Sequence, residues 1–116
     1  MDKIKKWLKY EFESSCGLTP EFQSFYGNIR SHLKKELGND FDFSIRRGHF
    51  EFYGFAKNKQ TEKWAYFSAS DVRYFKDAWH DNLLIRTALN DRDYTGGSNC
   101  YTTFPKLKDG LIGLTK

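Results

Sequence analysis

The stretch FDFSIRRGHFEFYGFAKNKQTEKWAYFSAS, residues 41–70, decides how this chain folds. Phe41, Phe43 and Ile45 alternate with Asp42, Ser44 and Arg46, a period of two that belongs to a half-buried strand and not to a helix. Arg47 and Gly48 read as the turn that follows. From His49 to about Lys57 the alternation resumes, with Phe50 and Phe52 on one face and His49, Glu51 and Tyr53 on the other, and Gly54 suggests a bulge. The two runs predict a hairpin. The polar run Lys57 to Lys63 is a second turn, and Trp64 to Ser68 is a third strand in which Trp64, Tyr66 and Ser68 alternate with Ala65 and Phe67.

Toward the N-terminus the period changes. Phe22, Phe25, Tyr26, Ile29, Leu33 and Leu37 recur at three- and four-residue steps as far as Gly38. Thr19 can cap this helix, and Pro20 suits its first position, where a missing N–H costs nothing. Gly27 inside it suggests close packing against a neighbour. An earlier helix is expected over Asp2 to about Ser14, with Ile4, Trp7, Leu8 and Phe12 on one face, ended by Cys16 and Gly17.

Toward the C-terminus, Ser70 and Asp71 are suited to cap a short helical turn through Phe75. Leu83 to Thr87 is more continuously apolar, as a central strand is. NDRDYTGGSN, from Asn90 to Asn99, is rich in turn formers and is the longest polar irregular segment, hence the candidate functional loop. Phe104, Leu107, Leu111, Ile112 and Leu114 suggest a closing helix, weakened by Gly110 and Gly113. The expected architecture is a single α+β domain over residues 1–116. Two N-terminal helices pack on one face of a roughly four-stranded antiparallel meander, with a short C-terminal helix. Phe41, Phe43, Ile45, Phe50, Phe52 and the Leu83 to Ile85 region form the apolar sheet face, covered by Phe22, Phe25, Ile29 and Leu33.

With 116 residues, 18% of them aromatic and 29% charged, the composition is that of a folding chain with a core of its own. Cys16 and Cys100 make no disulfide framework and no metal or redox spacing, which fits free thiols in a reducing compartment. The N-terminal lysines alternate with apolar residues instead of preceding an apolar run, so no secretion signal is read, and no segment approaches the roughly 20 apolar residues of a membrane span. The expected compartment is the bacterial cytoplasm. A formal charge of +4 favours polyanionic partners without requiring them.

Candidate chemistry is thin. Cys100 lacks a local partner for nucleophilic catalysis and reads as a buried or half-buried packing thiol. His32, His49 and His80 stand at no ligand spacing, and His32 is expected on the outer face of its helix. Asp42 and Glu51 facing each other across the hairpin would suit a metal-dependent nuclease, though a solvated face explains them as well. Gly96 and Gly97 would offer backbone N–H groups to a phosphate, but without a Walker spacing. No catalytic residue, metal or cofactor is expected. What remains is a set of basic and aromatic residues suited to phosphates, bases or a protein surface, Arg46, Arg47, His49, Tyr53 and Lys57 on the hairpin, then Arg73, Arg86 and Arg92, together with Asp93, Tyr94 and Asn99 of the polar loop.

Three segments, TPEFQSFYGNIRSHLKKEL from Thr19, RRGHFEFYGF from Arg46, and FSASDVRYF with LLIRTALNDRDYTGGSNCYTTF from Phe67, together resemble a group of small proteins encoded by bacteriophages, prophages and other mobile elements. The resemblance spans about Thr19 to Leu107 and is most specific at Arg86 to Ala88 and Asp93 to Asn99. It carries no catalytic assignment. It implies a non-enzymatic accessory protein that binds a host nucleoprotein or nuclease, in the manner of an anti-defence, anti-CRISPR-like inhibitor. Direct nucleic-acid binding is the alternative reading and a metal-dependent nuclease the minor one. Oligomeric state is not read from the sequence.

Overall fold

The computed structural model describes residues 20–47, 51–69 and 83–116, with side chains from residue 26 onward in the first of these stretches. Helix α1 (Pro20–Leu37) leads into strands β1 (Phe41–Arg47), β2 (Phe52–Asn58), β3 (Trp64–Ala69), β4 (Leu83–Ala88) and β5 (Cys100–Thr102). A 3₁₀ turn (Phe104–Lys106) then runs into helix α2 (Leu107–Leu114). The strands form one sheet in the order β1-β2-β3-β4-β5, every neighbouring pair antiparallel. The fold is the expected α+β meander, with two corrections. The sheet has five strands and not four, because Cys100–Thr102 pairs with β4. Of the helices, α1 precedes the sheet and α2 follows it, while the expected Asp2–Ser14 helix and the Ser70–Phe75 turn lie outside the described residues.

The period-two pattern becomes two sheet faces. Phe43, Ala56, Ala65 and Thr87 stand in one register row, Ile45, Gly54, Phe67 and Ile85 in the next, and Arg47, Phe52 and Ala69 in a third, with Leu83 on the same face of β4. Onto this face α1 brings Ile29, Leu33 and Leu37, spaced four apart and all buried, and α2 brings Leu107 and Leu111. Phe52 stacks on Phe104 with ring centroids 6.1 Å apart. Tyr26 also packs against this core, and its hydroxyl donates to the carbonyl of Ile45 at 3.0 Å. Burial raises the Tyr26 pKa above its ordinary value.

The register from Phe41↔Asn58 to Arg47↔Phe52 is unbroken, so Gly54 is not a bulge. Its role is close approach: a Cβ there would collide with the carbonyl of Ser44 and come within 2.9 Å of the Phe67 ring. Arg47 is the last residue of β1 and not a turn residue. Among the described residues Gly27 marks no close approach, since a Cβ there would meet none of them within 4 Å. Leu84, expected in the apolar face, points to the opposite side from its neighbours Leu83 and Ile85. Phe50 and the side chains of Phe22 and Phe25 lie outside the described residues.

A buried polar tie closes the other end of the sheet. Asn58 Oδ1 accepts the backbone N–H groups of Gln60 (2.8 Å) and Thr61 (3.2 Å), shaping the β2–β3 turn, and its Nδ2 donates to Thr115 Oγ1 at 3.1 Å. The Thr115 hydroxyl donates in turn to the carbonyl of Leu111 at 2.7 Å. Both side chains are buried, so each group needs the other. Asn58→Ala should therefore lower stability by about 1–3 kcal/mol, and Thr115→Val by a similar amount, in urea unfolding. The double variant should lose less than the sum; strict additivity would show that the two residues act independently.

A candidate binding face on the sheet

The opposite face of the sheet carries three other rows: Asp42, Lys57, Trp64 and Ala88; Ser44, Phe55, Tyr66 and Arg86; Arg46, Tyr53, Ser68, Leu84 and Tyr101. Rings and cations dominate it. Each of the first three strand junctions sets one basic residue opposite one ring: Arg46 by Tyr53, Lys57 by Trp64, and Arg86 by Tyr66. The Lys57 ammonium lies 5.8 Å from the Trp64 ring centroid, and the Arg86 guanidinium 4.4 Å from that of Tyr66, both within cation–π range.

The loop from Leu89 to Asn99 folds back over the middle row. The Tyr94 ring stands edge-on to Phe55 (5.2 Å), Tyr66 (6.0 Å) and Tyr53 (6.1 Å), with interplanar angles of 71–74°, the arrangement that the ring quadrupole favours. Phe55 is thereby only 3% exposed although it faces away from the helices, whereas Tyr94 remains 43% and Tyr101 61% exposed.

Two side chains hold the loop. Arg86 donates to the Tyr94 carbonyl and to Asn99 Oδ1 (3.4 Å) while lying on Tyr66; its Nε is buried and has no hydrogen-bond partner among the described residues. Asp93 turns inward to accept the backbone N–H groups of Leu89 (2.9 Å), Gly96 (2.8 Å) and Thr95 (3.3 Å). Those amides, that of Leu89 foremost, hold its carboxyl below its ordinary value, and the nearby charge of Arg86 adds to them. Gly97 adopts φ +72°, and a Cβ there would come 2.5 Å from Thr87 Oγ1, so only glycine suits both the backbone and the space. The amide nest offered to a phosphate by Gly96 and Gly97 is thus partly filled by the chain's own Asp93.

Several expected site residues meet here and others do not. Arg46, Tyr53 and Lys57 share the face, and Arg86, Asp93, Tyr94 and Asn99 build the loop on top of it. Arg47 is separated from them. The pleat turns it to the helix side, where its charge reaches Tyr26. Arg92 is exposed on the loop with its backbone N–H bonded to Asn90 Oδ1 at 2.8 Å. His49, Arg73, His80 and Cys16 lie outside the described residues. Asp42 pairs with Lys57, far along the strand from Glu51, so the carboxylate pair facing across the hairpin does not form. Cys100 is exposed and not a packed thiol. His32 is half-buried, not on an open helix face: with Leu33, Phe104, Pro105 and Lys108 it lines a groove of about 110 Å³ between α1 and the start of α2, and burial lowers its pKa. Among the described residues, no three His, Cys, Asp or Glu side chains gather to hold a metal ion, and no helix is long and apolar enough to cross a membrane.

Phe55, Trp64, Tyr66 and Tyr101 were not among the residues the sequence singled out for binding. Their parity with Tyr53, Lys57 and Arg86 was the available signal, but an apolar ring on a strand reads first as core. Compared with known proteins, the chain matches no family model, no curated sequence and no solved structure.

Because the Asp93 pKa is depressed, the loop's hydrogen bonds are fully present above the ordinary carboxylate value of 3.8 and are lost as pH falls through the lower folded value. The amide resonances of Leu89 and Gly96 should therefore titrate with a midpoint below 3.8. A midpoint at or above it would mean that Asp93 does not hold the loop. In Arg86→Lys the planar fork is gone while the charge stays, so amide exchange across residues 89–99 should accelerate with the sheet amides unchanged.

Proposed function

We propose that this chain is a non-enzymatic accessory protein of a phage or other mobile element. It binds a host nucleoprotein or nuclease in the bacterial cytoplasm and acts as an anti-defence, anti-CRISPR-like inhibitor. The observation that carries the binding role is the face formed by Tyr53, Tyr66, Tyr94, Trp64 and Tyr101 with Arg46, Lys57 and Arg86, where a latched loop presents a ring over a sheet. Tyr, Trp and Arg are the residues that supply most of the energy at protein interfaces, and Tyr94 reaches a partner already ordered, with less entropy left to lose on docking. The mobile-element setting rests on the resemblance of the Thr19, Arg46 and Phe67 segments, and inhibition of a defence nuclease rests on that setting.

The test is a cleavage reaction. Purified chain added in stoichiometric excess should block DNA cleavage by a co-resident CRISPR effector or restriction enzyme. Tyr94→Ala should weaken the block by about 30-fold or more, as loss of an interface hot spot does. If no co-resident defence nuclease is inhibited or captured, the proposal fails.

A further inference from the structure

Resting on that reading, the order of charges and rings on the second sheet face says which part of a nucleoprotein it suits. At three successive strand junctions one cation stands opposite one ring. Asp42, opposite Lys57 in the register, is the single carboxylate in the three rows; in the loop above, Asp93 is taken up by the chain's own amides and the exposed Asp91 stands beside the exposed Arg92. In the three rows Arg46, Lys57 and Arg86 outnumber Asp42, so the face combines an excess of cations with flat π surfaces. The rings are Trp and Tyr, which stack as well as pack. Trp64 lies two rows from Tyr53 and Tyr101, a spread of about 14 Å along the strands, enough for more than one base. Duplex bases have no free face to offer such rings; unpaired ones do.

We infer that this face docks on the unpaired nucleic-acid strand of its target, with bases stacked on Trp64, Tyr53 and Tyr101 and phosphates neutralised by Arg46 and Lys57. Arg86 is a positioning residue: its guanidinium is spent on Tyr66, the Tyr94 carbonyl and Asn99, so it sets the Tyr94 ring and does not reach a phosphate.

Fluorescence anisotropy of the full chain with a labelled oligothymidine of roughly 12 nucleotides, and with a duplex of the same length, tests this. At about 50 mM salt the single strand should bind at least 10-fold more tightly than the duplex, and a plot of log K against log salt should slope at about −1.4, as two neutralised phosphates require. Arg46→Gln should make that slope shallower by about 0.7. Trp64→Ala and Tyr101→Ala should each weaken binding about 5- to 100-fold. Tyr101 is exposed, so its variant keeps the test valid if Trp64→Ala disturbs the sheet. Equal binding of duplex and single strand, no binding at low salt, or binding indifferent to Tyr101→Ala overturns the inference. Nuclease inhibition that survives Tyr101→Ala and excess oligothymidine would leave the proposed function standing and assign the face to a protein contact. Oligothymidine binding without any effect on a defence nuclease would do the reverse.

Discussion

An unbroken antiparallel register running from Phe41 in β1 to Thr102 in β5 is the constraint on which the rest of this molecule depends. Side chains in a strand alternate strictly, so a one-residue slip at any junction would carry every later residue to the wrong side. Gly54 guards a crowded point of that register. It lets Ser44 and Phe67 approach the β2 backbone where a side chain would force the strands apart. With the register fixed, Phe41, Phe52, Phe67, Leu83 and Ile85 fall beneath the helices, while Tyr53, Phe55, Trp64, Tyr66 and Arg86 fall on the other side.

The two faces are stabilised differently. On the helix side, burial of Ile29, Leu33, Leu37, Leu107 and Leu111 against the sheet supplies the hydrophobic term, at roughly 1.5–3 kcal/mol for each large aliphatic side chain fully buried. On the other side the cover, among the described residues, is a loop without regular structure, and its order comes from specific polar contacts. The Asp93 carboxylate organises the loop from within through backbone amides, Arg86 ties it to the sheet, and Tyr94 closes over Phe55. Such a cover can be rearranged by breaking a few hydrogen bonds, whereas uncovering the helix side would expose the core.

Much of the fold was legible in residues 41–70, because two strongly alternating strands and a third separated by a polar turn leave few alternatives to a meander. The α1 stripe was equally plain. β5 was not: Cys100–Thr102 is too short to display a period, and it becomes a strand only because β4 offers it an edge. Arg46 and Arg47 look interchangeable as a basic pair. Once both belong to β1, the pleat sends them to opposite faces, and ending the strand one residue early hid this. Phe55 and Tyr66 were unreadable as members of the second sheet face for a different reason. An aromatic residue on a strand is equally suited to either side, and only the position of the helices decides which side is the core.

What the sequence by itself determined is therefore the local geometry: the period of α1 and of β1 to β3, and the polar turns at Lys57 to Lys63 and Asn90 to Asn99. These follow from interactions a few residues long. Only the tertiary structure decided which face the helices cover, that Arg86 is committed to the loop and not to solvent, and that Tyr94 stands over Phe55 and Tyr66. Those contacts join residues from separate elements of the chain, and they exist only once chain entropy has been given up to close the sheet.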